Sequence, residues 1–168
     1  MNLKNIFKKI KKNFVHFVLK FHPIQPQIMN KEIENKLIHK KTKPTSMRIL
    51  VYDFLSSQPF ATSLSEIENH FQNADRTTIY RTLKTFEEKG IVHSIQENTT
   101  TKYKLCHDDC DEKTHKDWHL HFYCKICKQT TCKEDISFPE SMRTNFRIDE
   151  IRLFAKGICE NCLEANFN

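Results

Sequence analysis

Two cysteine pairs carry the clearest chemistry in this chain: Cys124-x-x-Cys127 and Cys159-x-x-Cys162. A two-residue spacer folds each pair of thiolates onto one tight turn. Two such pairs complete a tetrahedral S4 set, which suits zinc. That set leaves no open position for a substrate, so a zinc ion there is structural and its ligation supports folding. Two unrelated pairs of buried cysteines are the competing explanation, and the matched spacing argues against it.

Beside the first pair stand His119 and His121. On a strand they point the same way, so both imidazoles can reach one ion. Cys132 falls on what reads as the next strand, and Cys106 and Cys110 lie where a hairpin would end. A second divalent-metal site is therefore expected from His119, His121, Cys132, Cys110 and Cys106, with the choice among the cysteines open. A surface strand bearing two idle histidines is the alternative. Mixed nitrogen and sulfur donors favour zinc over iron or manganese, which want more oxygen. A zinc hydrolase or deaminase would need an open coordination position and a nearby glutamate acid/base. No H-x-E motif precedes the cysteines, so the chain is read as a non-enzyme, with that class kept as a distant alternative.

The elements that position these residues can be read from periodicity. Thr45 can cap a helix through Leu55 that ends near Ser56–Ser57, before Pro59. Ser65-x-x-Glu68 reads as a capping box for a short second helix. Asp75 caps a third helix, Arg76 to Lys89, whose buried stripe is Ile79, Leu83 and Phe86, and Gly90 ends it. After Gly90 the period becomes two, and a polar turn over 97–101 makes a hairpin. Three helices followed by a hairpin is the order of a winged helix-turn-helix. The segment after it reads as a helix over 137–146 and a strand from Ile148 to Ala155 that delivers Cys159. The fold class is α+β: an N-terminal winged helix-turn-helix domain, then a small α/β domain with the S4 zinc site. The expected boundaries are 1–28, a basic extension; 29–106, the DNA-binding domain; and 107–168, the metal-binding domain.

In that arrangement the third helix enters the major groove with its N-terminal turns. Its opening face carries Arg76, Thr77, Thr78, Tyr80, Arg81 and Lys84, which suit phosphates, base edges and a thymine methyl. Lys43 and Arg48, at the start of the first helix, can hold the backbone. Double-stranded DNA is thus the expected partner. An ordinary amphipathic helix with a solvated face is the alternative for this element taken alone.

The bulk numbers agree. The net charge is +6, and lysines 4, 8, 9, 11, 12 and 20 account for it in a stretch without acids. The rest of the chain is neutral, so it must meet nucleic acid through a local basic face. Ile6, Ile10, Phe14, Phe17 and Phe21 fall at helical spacing within that stretch. It is read as a non-native or disordered extension, with Met29 as a second plausible start, in preference to a membrane-surface helix. No run approaches the about 18 apolar residues of a membrane span. Seven cysteines, no convincing secretory signal and the C-x-x-C spacing point to reduced thiols in a cytoplasm. With only 2 glycines, positive-φ positions are expected to be few or to use Asn or Asp.

From about Lys41 to Cys162 the chain resembles the ferric uptake regulator (Fur) family. The pieces that carry the likeness are Thr77-Thr78-Ile79-Tyr80-Arg81-Thr82-Leu83, then Phe86 and Gly90, then His119-Leu120-His121-Phe122-Tyr123-Cys124 and Cys127, and the terminal Cys159 and Cys162. The resemblance implies a homodimer, with 107–168 as its α/β dimerisation domain, that represses transcription when metal fills the regulatory site formed by the second cluster, on palindromic DNA. It also implies that Tyr80 touches a base, Arg81 and Arg48 phosphates, and Lys43 the minor groove. The chain departs from the family at Trp118 and Leu120, which flank and separate the histidines where some relatives hold a third site, and in three further places. No histidine precedes the second helix at Ala61-Thr62-Ser63-Leu64. Cys132 replaces a common carboxylate. Lys104 stands where a glutamate often ends the wing. These changes shift the sensing site toward sulfur and favour zinc, with iron- or peroxide/thiol-responsive regulation as the alternative.

Overall fold

The computed structural model describes residues 26–72, 74–97, 99–108, 110–112, 119–137, 145 and 151–166. The basic stretch around Phe14 and most of the helix expected over 137–146 lie outside them; Ser137 itself ends a strand.

Helix α1 (Pro26–His39) buries Ile33 and Leu37, one turn apart. It ends with Lys41 N–H donating to Ile38 O and Thr42 N–H to Leu37 O, with Lys41 at φ 52°. This is the paired hydrogen-bond stop that glycine usually closes. Lys41 and Lys128 are the non-glycine residues with positive φ among the described residues, so such positions are few there and are held by lysines rather than Asn or Asp.

Helix α2 (Ser46–Ser57) buries Val51 and Leu55. Thr45 holds the extended N-cap conformation, but its side chain makes no capping hydrogen bond. The next capping box is Ser63-x-x-Glu66, not Ser65-x-x-Glu68. The reason lies in the short strand β1 (Thr62–Ser63), which pairs with the hairpin and holds Ser63 extended, so helix α3 (Leu64–His70) starts there. Glu68 is left to pair with Arg76.

Helix α4 (Arg76–Glu88) begins where the Asp75 carboxylate accepts from Thr78 N–H and Oγ1. Ile79, Leu83 and Phe86 are fully buried on its inner face. Gly90, at φ +61°, lies so close to Asp111 that a Cβ would sit 2.8 Å from that residue's carbonyl oxygen. Both the conformation and the approach require glycine there.

Strands β2 (Val92–Glu97) and β3 (Thr100–Leu105) form the hairpin, and β1 adds to β3, giving the order β1-β3-β2. The second sheet holds β4 (His119–Cys124), β5 (Thr130–Ser137) and β6 (Leu153–Gly157), in the order β5-β4-β6. β4 runs antiparallel to β5 and parallel to β6. Helix α5 (Glu160–Asn166) follows. The fold is thus α+β. Its main core joins α1 to α4 with Ile91, Val92 and Tyr103 of the hairpin.

The two sheets meet through β2. Along it His93, Ile95 and Glu97 are buried, while Ser94 and Gln96 are exposed. Glu97 accepts from Thr130 Oγ1 at 2.9 Å and pairs with Lys102 Nζ at 3.2 Å. Lys102 also donates to the carbonyl of Lys128, beside the first cysteine pair. All three polar side chains are buried, so each depends on the others for its hydrogen bonds. Glu97→Gln keeps the shape but leaves the Lys102 ammonium without its counter-charge. We expect a loss of about 2 kcal/mol in chemical denaturation, below the cost of removing a buried charge partner outright because glutamine can still hydrogen-bond.

Candidate metal centres

Alternation along β4 sends its residues to opposite faces. His119 and His121 face β2, and Cys124 faces away, so one strand serves two separate clusters.

The first cluster is Cys124, Cys127, Cys159 and Cys162, whose sulfur atoms lie within 4.8 Å of one another. Cys124 ends β4, the turn after it brings Cys127 back, and Cys159 follows β6, which lies parallel beside β4. Lys125 N–H donates to Gly157 O at 2.7 Å and Cys159 N–H to Cys124 Sγ at 3.3 Å, which holds the two pairs together. The Cys127 and Cys159 sulfurs are 3.9 Å apart. Tetrahedral thiolates on zinc would stand about 3.8 Å apart. Burial pushes the Cys124 thiol up, but backbone N–H groups of Cys159, Cys127 and Ile126 outweigh it and bring it down to about 6. Hydrogen bonding to Cys159, then burial, pushes Cys162 up to about 12. One thiolate is thus ready, while Cys127 and Cys162 resist joining it, a conflict that a bound cation removes. The residues fit zinc.

The second cluster is His93, His119, His121 and Cys132, again with ligand atoms within 4.8 Å of one another. β4 and β5 place Cys132 opposite His121. The hairpin contributes His93, whose Nε2 lies 3.4 Å from Cys132 Sγ. Zinc-bound nitrogen and sulfur at tetrahedral angles would stand about 3.6 Å apart. His121 Nε2 is buried with no hydrogen-bond partner. Burial, then His119, pushes the His121 imidazole down to about 4, against a backbone hydrogen bond at Leu153. It is therefore neutral at pH 7, with a lone pair to donate. Three imidazoles and a thiolate fit zinc as well.

Of the residues expected at this second site, His119, His121 and Cys132 come together. Cys106 lies against the outer side of His93, its Sγ 3.6 Å from Nδ1. Cys110 is buried elsewhere and is not in the group; its carbonyl accepts from Lys40 Nζ. His93 is the residue that sequence reasoning missed. Its one signal was position, on the inward face of an alternating strand. Lys104, at the place of the family glutamate, donates to Gln58 O, and burial lowers its pKa against the pull of Cys132 and Glu134.

The candidate DNA face is on α4. Arg76, Thr77, Thr78, Tyr80, Arg81 and Lys84 are all exposed, as is Lys43 before α2. Asp75 hydrogen-bonds Thr78, and those bonds lower its pKa. Arg48 donates to Lys43 O at 2.9 Å and approaches Thr85 Oγ1, so it bridges α2 to α4.

Residues 39–156 match the ferric uptake regulator family. A solved structure of a zinc uptake regulator complexed with zinc and DNA is similar at 21% identity, over 84% of this chain and 97% of that one, with a TM-score of 0.57. The Vibrio cholerae ferric uptake regulator is similar at 20% identity, over 75% of this chain and 98% of that one, with a TM-score of 0.53. A zinc-bound manganese uptake regulator is similar at 15% identity, over 76% and 98%, with a TM-score of 0.51. At these identities the likeness concerns the fold alone. No curated protein sequence matches the chain. Among the described residues, no helix is long and apolar enough to cross a membrane.

Proposed function

The chain belongs to the ferric uptake regulator family, and from that premise we propose that it is a zinc-responsive transcriptional repressor that binds palindromic DNA as a homodimer in the cytoplasm. Members of this family are transcription regulators rather than enzymes. The observation that carries the zinc reading is the His93/His119/His121/Cys132 group: four donors, none an oxygen, drawn from two different sheets. A zinc ion bound there supplies coordination bonds across the gap between the β2–β3 hairpin and the β4–β5 pair. His93 holds the hairpin's end of that link. His119, His121 and Cys132 hold the other end. Such a link favours one placement of α4 over others, and a ligand shifts an equilibrium only through such a difference.

Residues 29–106 would then bind DNA through α4 as a winged helix-turn-helix, and 107–168 would pair two copies. Ile136, Phe154, Ile158 and Leu163 are exposed on or beside β5, β6 and α5, which supports an interface there. Two-fold symmetry of the protein implies a palindromic operator. Within this reading Arg81 meets a phosphate and Tyr80 a base. Arg81→Ala is expected to weaken operator and unrelated DNA alike, about tenfold, and to lower the slope of log affinity against log salt by about one. Tyr80→Ala should weaken the operator alone.

The metal is tested by fluorescence anisotropy on a palindromic promoter duplex in buffers of fixed free zinc, iron(II) or manganese(II). Zinc is expected to switch on binding at the lowest free concentration. Activation by iron(II) below that concentration would overturn the zinc reading. Loss of binding after mild peroxide, with zinc retained, would do the same in favour of thiol sensing.

A further inference from the structure

We infer that Glu97, Lys102 and Thr130 form a metal-independent joint between the first sheet and the second, and that this joint positions the hairpin for the second metal centre. The positioning role rests on the reading that the His93/His119/His121/Cys132 group holds zinc. The joint itself does not.

Three hydrogen bonds tie the two sheets without using a residue of either metal cluster. Thr130 Oγ1 donates to Glu97 Oε2 at 2.9 Å, Lys102 Nζ donates to Lys128 O at 3.1 Å, and Ala61 N–H donates to Thr130 O at 2.9 Å. They come from three pieces of chain, namely the approach to β1, β2 and β3, yet all land on Lys128 and Thr130. That landing is itself fixed. Lys128 N–H donates to Cys124 O and Cys124 N–H to Gln129 O, each at 3.0 Å, so the turn that carries the first cysteine pair also carries the joint. Thr130 is fully buried, and Glu97 and Lys102 nearly so. Groups so buried reach water only when the sheets part, so their bonds oppose that parting as a set.

Position links the joint to the metal centre. Glu97 lies four residues after His93 on the buried face of β2. Thr130 lies two residues before Cys132 on one face of β5. The same two strands thus meet at two points, Glu97 with Thr130 and His93 with Cys132. The first meeting needs no ion, and it limits how far the hairpin can turn away from the second. A ligand's apparent affinity falls with the fraction of molecules in the binding-competent form. By raising that fraction, the joint strengthens the second site without touching the ion.

Protein with zinc in the Cys124/Cys127/Cys159/Cys162 site tests this. The parent is compared with Thr130→Val, which keeps the side chain's shape but loses the hydroxyl, and with Thr130→Ser, which restores it. Retention of the one zinc shows that each variant is folded. Zinc affinity at the second site should fall about fivefold in Thr130→Val and recover in Thr130→Ser. Cobalt(II) filling that site should give the same spectrum in the parent and Thr130→Val, because the bound geometry is unchanged. Unaltered zinc affinity, or a changed cobalt spectrum, would overturn the positioning role. Hydrogen exchange at the Ala61 amide reads the joint directly, with the second site empty. It should be slower than the free-chain rate in the parent and faster in Thr130→Val. Free-chain exchange in the parent, or equal rates in the two proteins, would overturn the joint. If the parent takes up no second metal, the metal reading and the positioning role fall together, while Ala61 still decides the joint.

Discussion

Cys124→Ser is expected to cost the chain its zinc at the S4 site and most of the stability of the second sheet. Cys124 is 1% exposed and sits where β4 turns into the first cysteine pair. It also accepts the Cys159 N–H, so it joins the two pairs in covalent and hydrogen-bonded senses together once metal is bound. Serine is a poor zinc ligand, and the three remaining thiols no longer make a full ligand set. Structural zinc contributes on the order of 10 kcal/mol of apparent binding free energy that is also folding free energy. The expected result is a protein without stoichiometric zinc, whose thermal transition is broad and shifted down by tens of degrees. A strong chelator should do the same to the parent. Full zinc content with an unchanged melting curve in Cys124→Ser would contradict the assignment.

The second large effect falls on regulation. His93→Ala removes the one ligand the hairpin contributes, and leaves His119, His121 and Cys132 on the other sheet. Loss of a ligand should exceed the 10–100-fold cost of losing an outer partner, so a fall of about a thousandfold in affinity at the second site is expected. That corresponds to about 4 kcal/mol. Folding should survive, because the space sits at the edge of the main core and α4 keeps Ile79, Leu83 and Phe86 in place. DNA binding should then lose its response to zinc, even where zinc is high enough to fill what remains of the site, since no metal–ligand bond would cross between the sheets. Isothermal titration with zinc, paired with anisotropy on DNA, reads both changes. A variant that still couples zinc to DNA would mean that another residue makes the crossing.

The parts of this protein that were legible in the sequence are those with local causes. The C-x-x-C spacing, the Asp75 cap, the Ile79/Leu83/Phe86 stripe and the glycine stop at Gly90 each act within a few residues. The Ser63/Glu66 box shows the limit of that. Overlapping Ser-x-x-Glu patterns occur there, and only the pairing of Thr62–Ser63 with β3 selects between them. His93 was not legible for a stronger reason. Its partners come from strands far along the chain, and a single histidine on an inward face carries no spacing of its own. The Glu97–Lys102–Thr130 network was hidden likewise, since charged residues on a strand read as solvent-facing until a second sheet covers them. Cys110 shows the converse: it lies close to the histidines in the sequence, yet its backbone turns it toward Lys40 instead.

The central claim is that metal at the His93/His119/His121/Cys132 group, and not at the four cysteines, controls DNA binding. Protein holding one zinc per chain at the cysteines is mixed with a labelled palindromic duplex, and zinc is added while anisotropy is followed. The account predicts weak binding at the start, then a rise that saturates as the second equivalent per chain is taken up. Full affinity before any zinc is added, or no rise on adding it, would contradict the account.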